Sequence, residues 1–454
     1  MTSDSPGDFP ASADVGLLSP AWAGTPVADE TGDAAVLRAM LDAEVALAEA
    51  QAGLGLVPDA VARVIRDTAS SATFDAADIA RRARAGGNPV IPLLADLRAA
   101  VAASEPEAAR LVHLGATSQD VLDTALMLMA KRSIRVIAGD LDAAIAALID
   151  LADTHRETVM AARTLTQHSV PTTFGVKAAG WLVGLVDATR GLRGVADALP
   201  AQLGGAAGTL ASFSEFAPGR EFELVDAFAA ALELRAPALP WHTRRAPVTG
   251  LGDALATVAH VLGTIGPNLA LLSRTEIAEV HEATGGGSTA MPQKQNPIRS
   301  VLLRAIAQRS PGLASELHRS AESVDERPDG AWHAEWQALR ELLRQVGGGA
   351  SLAAELLPGL RIDAHRMREN LEITGPLIVS ECIALVAGPV IGRDAVRKLV
   401  AQAADDPASL FGLLKAALPD WDDDRLHELL DPVNYLGANN AIVDRAIAHA
   451  KELS

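Results

Sequence analysis

The stretch GGGSTAMPQKQNPIRSVLLRAI, residues 285–306, sets a polar loop against the start of a helix. Gly285, Gly286 and Gly287 carry no Cβ, so the chain there can take conformations that other residues avoid. Ser288, Lys294 and Asn296 follow in the same loop. Beyond Pro297, Ile298, Val301, Leu302, Ala305 and Ile306 recur at i, i+3, i+4, i+7 and i+8, the spacing of one apolar helix face. Proline suits a first helical turn, where its missing N–H has no partner to lose. The loop is therefore expected beside a helix N-terminus, a place that favours negative charge. Glycine alone describes an ordinary helix–helix loop. A hydroxyl, an ammonium and an amide in the same loop point to chemistry.

The composition around this stretch argues for helices throughout. The chain has 454 residues, enough for two or three domains and an ample core. It is 49% hydrophobic and rich in alanine, yet 3% aromatic, with a single tyrosine. Alanine and leucine favour helices, while β-branched and aromatic residues supply most strands. An all-α fold built on close helix packing is expected. The formal charge of -18 argues against nucleic acid as a partner, because phosphate recognition calls for basic patches. An anionic small molecule can still bind through a local cluster of cations. Cys382 is the only cysteine, which excludes an intrachain disulfide and a Cys-based zinc site; its apolar neighbours place it in the core. Residues 1–16 are acidic with scattered proline and serine and read as a frayed tail, not a signal peptide. Charges, glycine or proline interrupt each apolar run before it reaches transmembrane length. A cytoplasmic enzyme with no membrane partner is the expectation.

Three parts are expected along the chain. Residues 1–112 form an N-terminal helical domain with a disordered tail, containing an amphipathic helix over Asp33 to Gly53 and a break at Gly86-Gly87-Asn88-Pro89. Residues 113–360 form a central bundle of long helices over 121–149, 176–199, 251–280 and 298–346, with kinks or breaks predicted at Gly266-Pro267 and Pro311. Helices of that length need partners to bury them, so a bundle is expected, completed in part by other subunits. Residues 361–454 form a small helical domain punctuated by Pro389, Pro407, Pro419 and Pro432. Strand patterns are scarce; a small hairpin is expected around 164–174 and 205–212.

Four polar clusters stand far apart in this pattern: His113 with Thr117, Ser118, Gln119 and Asp120; Arg163 to His168; Trp241 to Arg245; and the glycine-led loop. Helix capping accounts for one hydroxyl of Thr117 and Ser118, but not for the whole first cluster. Taken singly, each histidine is more often a surface or satisfied core residue than a catalyst. Metal spacing, a phosphate-binding Gly-Lys-Ser/Thr ending, a dinucleotide unit and a Gly-x-Ser-x-Gly elbow are all missing from the sequence. That leaves acid–base chemistry, with no cofactor and no metal expected.

The run Gly287 to Asn296 resembles the signature of the fumarase/aspartase superfamily, and the other clusters fall in the order of its characteristic regions over nearly the whole chain. Further stretches are most similar to its muconate cycloisomerase branch: GNPVIP (87–92), HLGATSQDVLDTAL (113–126), PTTFGVKAAGW (171–181), GGAAGT (204–209), WHAEW (332–336) and DPVNYLG (431–437). The resemblance implies a homotetramer with active sites shared between subunits and a small tricarboxylate substrate. It implies that Ser288 exchanges the proton on the carbon α to a carboxylate and that Lys294 stabilises the serine oxyanion and the developing charge. Asn296, Thr117, Ser118, Gln119, His113, Gln167 and Arg245 are implied as substrate-binding positions. Glu326-Arg327 is similar to a polar pair in relatives and reads equally well as a solvated charge pair.

One departure separates the branches. Many of these lyases read Arg-Thr-His-x-Gln, and the histidine protonates the leaving group; here Leu165 stands in its place. An amine must be protonated to leave, whereas a carboxylate, with a conjugate acid of pKa about 4, need not be. Lactone formation from a carboxymuconate is therefore the expected reaction. An adenylosuccinate-lyase-like enzyme releasing fumarate is the alternative within the superfamily, and a non-catalytic helical scaffold the alternative outside it. Thr289, where relatives usually carry serine, and Ala246, where they often carry aspartate, bear on substrate detail.

Overall fold

The computed structural model describes residues 15–283, Gly286, Met291 and 293–453. Ser288, the residue implied as proton carrier, lies outside the described residues. The fold is all-α, as the composition requires, with five long helices in the middle of the chain: Ser118–Thr154, Phe174–Asp197, Ala246–Leu272, Ile298–Ser320 and Ala331–Leu356.

Two compact units divide the chain. One comprises the residues through 140 together with 188–260 and 305–351; the other comprises 141–187, 261–304 and the residues from 352 onward. In the first unit the expected Asp33–Gly53 helix is present and buries Met40, Leu41, Ala43, Leu47 and Ala48. The break at residues 87–89 is also present, with Gly87 in the left-handed region at φ +73° after the Ala76–Gly86 helix. Gly348 allows the closest backbone approach: a Cβ there would lie 2.2 Å from the Ala21 carbonyl oxygen. In the second unit, short helices between Ala364 and Leu453 enclose a core of Leu371, Val379, Ile383, Leu410, Leu414 and Leu426. Cys382 is only partly buried at the edge of that core.

At the two prolines the predicted kinks or breaks do not take the form of breaks. Pro267 lies inside Ala246–Leu272 and Pro311 inside Ile298–Ser320, and neither ends its helix. The predicted segment 298–346 is divided instead at residues 321–330, where Asp325 at φ +51° and Gly330 at φ +80° turn the chain. A lone proline forfeits one hydrogen bond, whereas residues with positive φ cannot continue a right-handed helix. The segment predicted over 251–280 starts earlier and stops at Leu272; Val280 pairs with Ile362 in a two-residue strand. Ala246–Leu272 is long and apolar enough to cross a membrane, contrary to expectation, and 44% of its most apolar window is buried within the protein.

Of the two segments expected as hairpin, one is strand. β1 (Val159–Thr164) pairs antiparallel with β2 (Gln167–Thr173), joined by Leu165 and Thr166 at φ +49° and +75°. Positive φ at both central residues matches the right-handed strand twist, though side chains other than glycine and asparagine take it at a cost. Residues 205–210 are loop, and a short helix begins at Ala211. Their glycines suit close backbone approach, not a strand.

Candidate active site

In the first unit, two of the four sequence clusters, His113 to Asp120 and Trp241 to Arg245, converge on the N-terminus of the Ser118–Thr154 helix. Asp120, 1% exposed, is the centre. Its carboxylate accepts the Thr117 N–H (3.0 Å), the Gly204 and Gly205 N–H groups (2.8 and 2.9 Å) and the Gln202 amide (3.2 Å). It also pairs with His242 Nε2 at 2.8 Å. A buried carboxylate needs this many donors to offset its lost hydration. Gly204 has no room for a side chain, since a Cβ would stand 2.8 Å from Pro240 Cβ.

Gln119 is fully buried beside it and donates to the His242 carbonyl (2.9 Å). Its Oε1 accepts from Arg327 Nε at 3.2 Å, and the Thr117 hydroxyl accepts from Arg327 Nη2 at 2.8 Å. The capping expectation is thus reversed: the N-cap N–H of Thr117 is held by Asp120, while the Thr117 hydroxyl is held by Arg327. Ser118 opens the helix next to them and is half-buried. His113, at φ +64°, bonds Glu44 Oε1 through Nδ1 at 2.7 Å.

Arg245 has a different setting from that of a free substrate ligand. It is 3% exposed, and its guanidinium grips Asp123 with Nη1 and Nη2 at 2.7 and 3.1 Å. It contacts Glu335 through Nε at 3.2 Å and through Nη2. Trp332 Nε1 donates to Asp123 at 2.8 Å, and the Trp241 ring lies 4.7 Å from the guanidinium. Two carboxylates thus share one buried cation. Burial, reinforced by the Asp123 charge, pushes the Glu335 carboxyl up to about 7, against the pull of Arg245. A raised folded-state value means that the stability from the Glu335 proton is complete below its unfolded value near 4.5 and is lost as pH rises through about 7. Glu335→Gln removes that dependence. Between about pH 5 and 8 the variant should gain up to about 3 kcal/mol on the wild type in urea unfolding. Parallel pH profiles for the two proteins would exclude this.

In the second unit, Arg163 holds the fully buried Glu279 by two hydrogen bonds of 3.0 and 2.6 Å, and Asn370 adds a third at 2.9 Å. His168 bonds the Thr374 hydroxyl through Nδ1 (2.8 Å), and burial followed by the Arg163 charge lowers its pKa. Burial, followed by the Arg163 charge, also lowers that of Lys177, whose Nζ lies 3.4 Å from Asn268. Leu165 is 96% exposed at the tip of the hairpin, and Gln167 beside it is exposed.

The glycine-led loop is pinched at its base, where Gly286 and Asn296 exchange backbone hydrogen bonds of 3.0 and 3.2 Å. The Asn296 amide donates to the Gly286 carbonyl at 3.3 Å, and Lys294 is exposed. The following helix begins at Ile298, as the pattern predicts. Negative charge does sit at its N-terminus, but the protein supplies it: Glu282 accepts the N–H groups of Arg299 (3.2 Å) and Ser300 (3.0 Å). No group of three or more His, Cys, Asp or Glu side chains is arranged to hold a metal among the described residues.

Asp120, Asp123, Gln202, His242 and Glu335 complete the first-unit cluster; sequence reasoning assigns none of them a role, although Asp120 and His242 stand within two of its polar clusters. A signal for two of them exists. Asp120 and Asp123 interrupt an otherwise apolar run three positions apart, so they share one helix face and need buried partners. Which residues serve as those partners depends on the tertiary fold.

A family model described as Lyase matches residues 25–312, and the chain belongs to that family, within the fumarase/aspartase superfamily. Nitrosuccinate lyase of Streptomyces davaonensis is 48% identical over 97% of this chain and 96% of its own. The 3-carboxy-cis,cis-muconate cycloisomerase of Pseudomonas aeruginosa is 40% identical over 91% of each chain. Among solved structures, the 3-carboxy-cis,cis-muconate lactonizing enzyme of Pseudomonas putida matches with a TM-score of 0.88 and 34% identity over 94% of this chain and 97% of that one.

Proposed function

We propose that the chain makes or breaks a bond at the carbon β to a substrate carboxylate, with a weakly basic anion as nucleophile or leaving group. The particular reaction proposed is the interconversion of 3-carboxy-cis,cis-muconate and a carboxymuconolactone. The observation that carries this reading is Leu165. A leucine stands 96% exposed on the hairpin tip, where the superfamily resemblance expects a proton-donating histidine. Chemistry that releases an amine needs that donor, and a carboxylate nucleophile or leaving group does not.

In the lactonising direction, one carboxylate oxygen of the substrate forms a C–O bond to the alkene, and Ser288 delivers a proton to the carbon α to another carboxylate. One proton is taken up as a trianion becomes a dianionic lactone. Lys294 and backbone N–H groups hold the charge that builds on the α carboxylate in the intermediate. Thr117, Ser118, Gln119 and Arg327 supply hydrogen bonds to a second carboxylate. His113, Gln167 and Asn296 line the same substrate site, which is shared between subunits of a homotetramer in the cytoplasm. Arg245 serves this site by holding its wall through Asp123 and Glu335.

The 48% identity to a nitrosuccinate lyase supports a second reading: elimination of nitrite from nitrosuccinate to leave fumarate. Nitrite is also a weakly basic leaving group, so Leu165 accommodates both reactions. The two are separated by assay. Purified enzyme should abolish the diene absorbance of 3-carboxy-cis,cis-muconate. Release of nitrite and fumarate from nitrosuccinate, with the muconate untouched, would replace the first reading by the second.

A further inference from the structure

His242 is 4% exposed, its Nε2 is bonded to Asp120, and its Nδ1 is buried without a hydrogen-bond partner among the described residues. Leaving one face of a buried imidazole unmatched is costly, and the surrounding groups are otherwise paired with care. Asp120 already accepts N–H donors from Thr117, Gly204, Gly205 and Gln202. So many donors define an ionised carboxylate, and the His242 Nε2 therefore carries a proton towards it. The ring cannot turn to relieve Nδ1 without breaking that bond, and the His242 carbonyl is fixed by Gln119 at 2.9 Å.

Next to Nδ1 runs the loop of residues 204–210. Gly208, at φ +72°, lies beside it: a Cβ built there would stand 3.6 Å from His242 Nδ1. Ala206, Ala207 and Thr209 in the same loop are exposed, so this edge of the imidazole lies under a surface segment rather than deep in the core. The charged groups in contact with His242 are Asp120 from the Ser118–Thr154 helix and Arg245, whose Nη1 lies 3.4 Å from the His242 carbonyl; Arg245 in turn pairs with Asp123 of the same helix and with Glu335 from Ala331–Leu356. Arg245 is saturated by the two carboxylates, so it has no charge left to offer a ligand.

We propose that His242 is a substrate-carboxylate-binding residue, oriented by Asp120 and presenting Nδ1–H to a carboxylate beside the Gly208 loop. Binding is then coupled to protonation, because a neutral imidazole with its proton on Nε2 would turn a lone pair towards the anion. The Asp120–His242 pair becomes carboxylate–imidazolium–carboxylate, and one proton is taken up as the ligand binds. The inference rests on the reading that the substrate is a polycarboxylate.

Calorimetric titration with propane-1,2,3-tricarboxylate, in buffers of different ionisation enthalpy, measures affinity and proton uptake together. Wild type should bind with net uptake of a proton. His242→Gln keeps an amide near Asp120 and removes Nδ1; it should weaken binding by about tenfold to a hundredfold and abolish the uptake. Where that variant does not fold, Gly208→Ala decides, since it leaves the dyad intact and places a methyl group against Nδ1; it should weaken binding likewise. Unchanged affinity and proton uptake in the folded His242→Gln variant, or in Gly208→Ala where that variant is decisive, would overturn the proposal, as would a wild type that does not bind. Failure to turn over either muconate or nitrosuccinate, with tricarboxylate binding and uptake intact, would remove the proposed reactions and leave this inference standing.

Discussion

Arg245→Met is expected to destabilise the protein by about 3–5 kcal/mol, the penalty for leaving buried carboxylates without their cation. Asp123 and Glu335 are both almost inaccessible to water, and each takes hydrogen bonds from this one guanidinium. Methionine fills much of the same volume but neutralises nothing. Glu335 can escape by keeping its proton, which its raised pKa already favours, so the loss should be smaller at acidic pH. Adding Glu335→Gln to Arg245→Met should therefore recover part of the stability. Urea unfolding followed by circular dichroism measures all three proteins. An Arg245→Met variant with wild-type stability and a raised KM would instead make this arginine a direct substrate ligand.

Ser288→Ala is expected to lower kcat by about 10²–10⁴, the range for loss of a proton-transfer group, while the unfolding midpoint stays near that of the wild type. The argument is chemical. A bond β to a carboxylate breaks easily only if the α carbon gains or loses a proton, and the loop offers one hydroxyl at the required place in its signature. An alkoxide is a strong base that needs nearby positive charge to exist at neutral pH, and Lys294 follows in the same loop. Exchange of the α proton of product with deuterated solvent tests the step without requiring full turnover. Wild-type exchange in Ser288→Ala would assign the proton to another residue.

The contrast between these two variants follows from what a sequence can display. The Asp33–Gly53 helix, the start of a helix at Ile298 and the short helices beyond residue 364 are written in local periodicity and in glycine and proline placement. The Gly87 break is equally local, because a positive φ is a property of a single residue. The prolines at 267 and 311 do not end their helices for the complementary reason: surrounding packing keeps a helix continuous that isolated propensity would interrupt.

The candidate site divides along the same line. Sequence by itself determined the all-α class, the membership of the lyase family, the loop bearing Ser288, Lys294 and Asn296, and the presence of Leu165 where the superfamily resemblance expects histidine. Each depends on residue identity at a spacing along the chain. Only the tertiary structure decided that Arg245 is spent on Asp123 and Glu335, that Arg327 reaches Thr117 and Gln119, and that Asp120 turns His242 so that one nitrogen is left over. These pairings join residues 90 to 210 positions apart in the chain. They are set by the cost of burying an unmatched charge, and that cost arises only once packing has removed the water.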